Sequence, residues 1–517
     1  MAQTLRTARC DTLCELYLRS TQWRGDAAMF VDEGNSVSGI DALDQSLKFA
    51  STLAALESKP GDVVAFLCQG SARHAVVWFG AVIADRVACN LHAREVPEKL
   101  AEVLDWLGAT VLVHDESLAE LAISAASQST TGPKRICIGK DASATTTYDR
   151  IMETGTRYDV LAHLPNEDSL ATILLSSGST GKPKGVMHSQ RTLLETAKAG
   201  QHAFGQVTPH DAVIILMQPS FAAWLIVGLP YVGGKGKLVF GNQFVPSNFL
   251  ALIERERITM APLVPTMWRM IFQEDTKQYD LSSLRLVSIS GEPPAPDDIQ
   301  KLDALICKQM TSVYFSSEAC TATGVHAWRK DLLDDGKSAS SGRPGVGVDL
   351  KIIDPAGSFD DELPLEEVGE IALSGPSLAL GYWKDPVGTA SRFRNGWWRS
   401  GDLGRLDRDG CLSVIGRIDN IINSGGIKVS GEEIERALLS HPDVIQCAVV
   451  GQSDEKFGQR VEAYLVCRNA PTGAAMDAFC RETARLASFK VPKAFHFVAA
   501  LPTGPTGKLY RRALRRE

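Results

Sequence analysis

The chain has 517 residues, 44% hydrophobic and 22% charged, which excludes a disordered or collagen-like polymer and fits a folded protein of several cores. Its 54 basic and 61 acidic side chains leave a formal charge of −7, which argues against a broad nucleic-acid or anionic-membrane surface while allowing a local basic pocket. Eleven scattered cysteines, with no C-x-x-C pair and no histidine cluster beside them, exclude a disulfide frame and a zinc site and point to reduced thiols in a cytoplasmic protein.

At the N-terminus Arg6 and Arg9 are followed by Asp11 and Glu15 with no apolar run, so no secretory signal is expected. Asp44–Leu56 has helical spacing and stops at the turn signal Lys59-Pro60-Gly61-Asp62. A short buried strand is predicted at Val63–Leu67, helices at Arg73–Ala84 and Pro97–Leu107, and a strand at Val111–Val113. This alternation implies parallel sheets covered by helices. The rhythm returns at Ala212–Met217, Asn248–Glu254 and Leu284–Ile289. The most apolar stretches, Ala75–Ala84 and Ala222–Val232, are too short to span a bilayer and are expected to be buried elements. From Gly342 onward, Leu350–Ile353, Glu370–Leu373 and Gly410–Ile415 are short and alternate with period two, predicting a small antiparallel sheet or barrel. After Asp419 the pattern predicts a helix at Ser430–Ser440, strands at Val444–Val450 and Val461–Val466, and a helix at Asp477–Ala487, enough for a separate α+β domain.

The most informative stretch is Leu175-Ser176-Ser177-Gly178-Ser179-Thr180-Gly181-Lys182-Pro183-Lys184-Gly185-Val186-Met187-His188. Glycines let backbone N–H groups approach phosphate oxygens, hydroxyls donate further hydrogen bonds, and lysines supply charge. The spacing is not that of the P-loop, which needs four residues between its first glycine and Gly-Lys-Ser/Thr. The flanks also differ: strands are expected at Ala171–Leu175 and Gly185–His188, with a helix only at Arg191–Lys198. A plain Ser/Gly hairpin is the competing explanation, disfavoured by the density of hydroxyls and the lysine spacing.

This loop resembles the signature of the superfamily of acyl-CoA synthetases, nonribosomal-peptide adenylation domains and firefly luciferase, and the match continues in order to the C-terminus. The resemblance implies an α/β fold: a large N-terminal adenylate-forming domain, residues 1–418, with two helix-covered mainly parallel sheets plus a small β-barrel, and a small mobile α+β C-terminal domain, residues 419–517. It implies that Ser176, Ser177, Gly178, Ser179, Thr180 and Lys184 hold the phosphates of ATP. Tyr314-Phe315-Ser316-Ser317-Glu318 stands where the family has Tyr-Gly-x-Thr-Glu, so that Tyr314 stacks on adenine, Ser317 contacts the α-phosphate and Glu318 holds Mg2+, a cation that takes hard oxygen ligands. Gly291 and Glu292 resemble the adenine-side loop, and Asp402, after Ser400-Gly401, the ribose ligand. In Gly416-Arg417-Ile418-Asp419 the resemblance gives Arg417 to ribose or phosphate and Asp419 to the pivot, while Gly425 and Gly426 line the pantetheine path. Lys508, in Pro502-Thr503-Gly504-Pro505-Thr506-Gly507-Lys508, matches the catalytic lysine, expected to serve adenylation more than thioester formation.

The implied reaction is ATP-dependent activation of a small-molecule carboxylic acid to an acyl-adenylate, then transfer to coenzyme A. The runner-up is an acyl-AMP ligase that loads a separate acyl carrier protein, and a non-catalytic nucleotide- or acyl-CoA-binding relative is the reading of another class. The acyl pocket departs from the family. Pro219-Ser220-Phe221-Ala222-Ala223-Trp224 lacks the usual histidine after phenylalanine, and Phe315 replaces a glycine. Phe221, Ala222, Trp224 and Phe315 are therefore the expected pocket residues, with Phe315 either filling the pocket or turning into the core. Ala222 cannot pair with an ammonium group, which disfavours an amino acid.

Overall fold

Val63–Leu67 is buried along its whole length, which is how a strand covered by helices on both faces reads. It lies inside an eight-stranded sheet whose order is Gly381–Tyr382, Pro183–Ser189, Leu170–Ser177, Val87–Asn90, Val63–Leu67, Ala109–Asp115, Lys134–Ile138 and Thr146–Thr147. The last six are parallel to one another; Pro183–Ser189 and Gly381–Tyr382 add antiparallel strands at one edge. The computed structural model that shows this describes residues 9–177, 183–291, 294–328, 332–333, 340–455, 457–469, 471–503 and 509–515.

A second eight-stranded sheet runs Cys320–Trp328, Met310–Ser316, Leu286–Ser290, Met260–Leu263, Ala212–Ile215, Lys237–Phe240, Ala28–Asp32 and Asn35–Ser38. Its six inner strands are parallel, and an antiparallel strand closes each end. Helices start where the sequence offers a cap. Ser71 accepts from the His74 N–H ahead of Ala72–Ile83, and Ser189 accepts from the Thr192 N–H ahead of Gln190–Ala203. The helix expected at Asp44–Leu56 begins earlier, at Gly39, because the Ser38 hydroxyl caps it through the Asp41 N–H. Ala222–Val232 is a helix, Ala222–Gly233, buried over most of its length. Trp78, Phe79, Phe30, Tyr17 and Trp224 fill the core that these helices share with both sheets.

The chain folds as two compact units: Met1–Leu350 with Leu373–Trp398, and Lys351–Ala372 with Arg399–Glu517. Both large sheets belong to the first. The second contains most of the residues of four neighbouring strands, in the order Leu412–Arg417, Trp397–Leu406, Gly369–Ser374 and Asp349–Ile353. Three of these match the segments expected as a sheet or barrel; Trp397–Leu406 is not among them. Among the described residues they form an open sheet and no closed barrel, so the barrel expectation is corrected: closure needs pairing between edge strands, which short alternating segments do not encode. The second unit also holds a five-stranded sheet built on the Val444–Asp454/Gly458–Cys467 hairpin, with Ala494–Phe497 parallel at one side. The helix expected at Asp477–Ala487 is instead a short helix, Gly473–Ala478, running into a single π-helical turn, Phe479–Thr483; Arg485 then takes φ of +52°, which ends any helix.

Candidate active site

The Ser/Gly/Lys turn is held at both ends by an antiparallel ladder that sets Ser176 opposite Lys184 and Ser177 opposite Pro183. Gly178, Ser179 and Thr180, between them, lie outside the described residues. Gly185 is required by packing: a β carbon there would come within 2.8 Å of the Trp106 ring and 2.9 Å of the Trp383 β carbon. The Lys184 ammonium lies over the Tyr382 ring, 5.0 Å from its centroid, a cation–π arrangement.

Ligands of open parallel sheets bind beyond the carboxyl ends of the strands. In the second large sheet those ends carry the Gly291 loop and the Tyr314–Glu318 motif. Ser290 pairs with Val313, which brings Gly291 level with Tyr314 on the neighbouring strand. Gly291 has φ of +93°, a left-handed conformation suited to glycine, and its missing β carbon keeps the backbone clear of Val264. Glu292 lies outside the described residues. Past Tyr314 the strand turns: the Ala319 N–H donates to Ser316 Oγ, and Cys320 sits at φ of +40°. Ser317 and Glu318 are thereby presented on a tight turn, both half-buried.

Three contacts fix that turn. The Ala379 N–H donates to the Glu318 carbonyl at 2.8 Å. The Tyr382 hydroxyl donates to Glu318 Oε1 at 3.0 Å. His188, the last residue of the loop motif, donates from Nε2 to the Ser317 carbonyl at 2.8 Å, with Nδ1 3.2 Å from Thr192 Oγ1. Full burial lowers the His188 pKa to about 4, so the ring is neutral and serves as a rigid brace rather than a proton carrier. The same segment that carries Tyr382 is strapped to the loop strand through the Leu380 N–H to the Met187 carbonyl and the Trp383 N–H to the Gly185 carbonyl.

In the segment expected to line the acyl pocket, Phe221 caps the Ala222–Gly233 helix and is half-buried. The ring of His92 meets it edge-on, with centroids 5.4 Å apart, and His92 Nδ1 lies 2.8 Å from Ser220 Oγ. Asn90 Nδ2 donates to the Pro219 carbonyl while Asn90 Oδ1 accepts from His74 Nε2, tying the carboxyl end of a strand of the first sheet to this segment of the second. Ala222 is partly buried against the core. Trp224 is not beside Phe221 on the open side: it is 4% exposed and wedged among His74, Trp78 and Phe240. Phe315 packs against the same core cluster, the second of the two orientations expected for it.

In the second unit, Asp402 and Arg417 face each other across an antiparallel pair and form an ion pair at 3.0 Å. Gly401, at φ of +74°, lets the strand bend so that its N–H donates to the buried Glu370 Oε1. Glu370 in turn accepts from Arg399 Nε at 2.7 Å. Asp419 lies inside this unit, its carbonyl accepting from Arg515. Gly425 and Gly426 are the two-residue turn between Ile421–Ser424 and Ile427–Ser430, at φ of +62° and +84°. Space beyond Gly426 is open, whereas a β carbon on Gly425 would meet Phe457 at 3.0 Å. Lys508 lies outside the described residues.

The AMP-binding enzyme family model matches residues 18–383, and that of the AMP-binding enzyme C-terminal domain matches residues 433–508. The chain belongs to the AMP-binding enzyme family. Among its relatives in this superfamily of adenylate-forming acyl-CoA synthetases, a feruloyl-CoA synthase of Amycolatopsis sp is 31% identical over 91% of this chain and 91% of its own length. An oxalate–CoA ligase of Arabidopsis thaliana is 28% identical over 88% of each. The o-succinylbenzoate CoA synthetase of Bacillus subtilis, solved with its acyl-adenylate intermediate OSB-AMP, superposes with a TM-score of 0.84 at 25% identity, covering 96% of this chain and 97% of that one. ATP-bound MatB from Rhodopseudomonas palustris gives 0.83 at 25% identity, with 97% and 98% covered.

Within this AMP-binding enzyme, three side chains at the site carried no sequence signal of their role. Tyr382 and His92 lie outside the motifs, and His188 ends one without an assignment. Each acts through a partner distant in sequence, which spacing along the chain does not reveal. Among the described residues no helix is long and apolar enough to cross a membrane.

Proposed function

We propose that the chain joins a carboxylic acid, most favourably an aromatic one, to coenzyme A through an acyl-adenylate, with the residues above in the roles their motifs indicate. That it is an AMP-forming acid–CoA ligase accords with family membership along nearly the whole chain. In the first step a carboxylate oxygen of the acid attacks the α-phosphorus of ATP and the bond to pyrophosphate breaks. In the second, the coenzyme A thiol attacks the acyl carbonyl, the bond to AMP breaks, and the thiol proton leaves to solvent.

Both partners of the first step are anions, so positioning and charge neutralisation dominate it. Ser176 and Lys184 flank the turn assigned to the phosphates, and the Lys184 ammonium already lies at the strand beside it. Glu318 is the carboxylate that would hold Mg2+; a hard oxygen donor held on a braced turn suits an ion that is bound through one or two carboxylates plus substrate phosphates. When bound, magnesium supplies positive charge against the departing pyrophosphate. Tyr314 and the exposed backbone at Gly291 are assigned to the adenine, Asp402 and Arg417 to ribose and phosphate, and Lys508 to charge neutralisation during adenylation. Gly425 and Gly426 are assigned to the pantetheine arm.

The observation that carries this reading is that the loop motif meets the Ser317-Glu318 turn within the first unit: Tyr382 contacts both Lys184 and Glu318, and His188 holds the Ser317 carbonyl. An aromatic acid is favoured by the half-buried Phe221 ring with His92 set edge-on to it. Feruloyl-CoA synthase and 2-succinylbenzoate–CoA ligase among the relatives agree with that choice. The test is pyrophosphate release with ferulate, benzoate, 2-succinylbenzoate, oxalate and octanoate, each with and without coenzyme A. Release with at least one acid, and coenzyme A consumed in equal amount, is the expected result. Release without any coenzyme A consumption would move the acceptor to a carrier protein, and no release with any acid would remove the catalytic reading.

A further inference from the structure

One aromatic side chain touches both the lysine that the loop motif assigns to the phosphates and the carboxylate assigned to the metal. The face of Tyr382 carries the Lys184 ammonium, 5.0 Å from the ring centroid. Its hydroxyl donates to Glu318 Oε1 at 3.0 Å. The ring itself is fixed from several directions. Tyr382 is 4% exposed and packs edge-on against Phe393 with centroids 5.5 Å apart. Its backbone N–H donates to Thr389 Oγ1 at 2.9 Å, and it pairs with Val186 in the strand that follows the phosphate turn. Gly381, at φ of +135°, is needed here because a β carbon would fall 2.4 Å from the Thr389 methyl.

We propose that Tyr382 is the positioning residue that couples the loop cation to the metal-binding carboxylate, its face seating Lys184 and its hydroxyl orienting Glu318. This rests on the reading of Lys184 and Glu318 given under Proposed function. A carboxylate whose side chain is already held loses less freedom when a cation arrives, and removing such a supporting group typically costs about tenfold or more in metal affinity. The cation–π seat is weaker and corresponds to roughly threefold in affinity.

The test compares the full-length wild type with Y382F, Y382L and E318Q, using Mn2+ as the probe. Free Mn2+ is counted by electron paramagnetic resonance in the presence of ATP, ATP binding without metal is measured by equilibrium dialysis, and folding is followed by thermal melting. Y382F, which keeps the ring, is expected to bind Mn2+ in the ATP complex about tenfold more weakly while leaving metal-free ATP affinity and melting temperature near wild type. Y382L is expected to lose the same factor and, in addition, roughly threefold in metal-free ATP affinity. A merely structural tyrosine would lower the melting temperature without separating these two titrations. Wild-type Mn2+ binding by Y382F beside a weakened E318Q overturns the proposal alone. Wild-type binding by E318Q overturns the metal assignment of Glu318 and the proposal with it.

Discussion

At the scale of single residues, the side chains that brace the site do so by staying uncharged. His74 and His188 are both fully buried, and burial lowers each imidazole to about 4, against about 6.5 in an unfolded chain. Between those two values the unfolded chain binds protons that the folded one refuses. Stability is therefore full above about pH 6.5 and falls as pH drops toward 4, by about 2 kcal/mol per histidine at pH 5. Urea unfolding at pH 7.5 and pH 5 should show that loss, and H188Q, whose amide can still donate to the Ser317 carbonyl, should lose about 2 kcal/mol less than the wild type. An unchanged pH dependence in H188Q would show that His188 is not titrating as its burial requires. His188 was visible in the sequence as the end of the loop motif, but its partner lies 129 residues away, so its role was not. The same holds for Trp224: it reads as a pocket residue by its place after Phe221, but Phe221 is the extended cap residue and Trp224 lies inside the helix, on the face packed into the core.

Elements were legible where burial leaves a continuous apolar run or where a turn demands glycine. Val63–Leu67 and Pro97–Leu107 stand where the pattern puts them, the first because both its faces are covered, the second because Pro97 opens it and Gly108 closes it in a left-handed cap. The Gly425-Gly426 turn is not legible as a turn in the sequence, where the pair is named only for the pantetheine path; both residues take positive φ, which glycine adopts without strain. Gly426→Ala is expected to destabilise the second unit by about 1 kcal/mol from backbone conformation alone, because its β carbon would point into open space. Gly425→Ala should cost more, since it adds a clash with Phe457 at 3.0 Å. Denaturant unfolding of the two variants gives the order; a reversed order would mean that Phe457 yields freely. What ended the Asp477 helix early was a backbone angle at Arg485, and no side-chain pattern announces that.

For the molecule as a whole, the recurrence of apolar residues conveyed helix-covered parallel sheets and a distinct C-terminal region, while the number of sheets was implied only by the family resemblance. Which strands would join across a long gap was not conveyed. The second unit recruits Lys351–Ala372, then yields the chain to the first unit for Leu373–Trp398, and takes it back at Arg399. Glu370 shows what that pairing secures: at 2% exposure its carboxylate is held by Arg399 and by the Gly401 N–H. Glu370→Ala leaves Arg399 its backbone-carbonyl partners without the carboxylate and removes the acceptor of the Gly401 N–H, and is expected to destabilise by about 3 kcal/mol in denaturant unfolding, with loss of well under 1 kcal/mol arguing that the pair is dispensable.

The order in which a ribosome delivers these residues gives the pairing a further meaning. Glu370 emerges some thirty residues before Arg399 and Gly401, the groups that neutralise it. A nascent chain that has reached the end of the first unit therefore holds a strand it cannot yet bury, and that strand must wait in solvent until translation has passed residue 401. Both units are in this sense completed late, and a chain cut between them would carry the unfinished strand on the wrong piece.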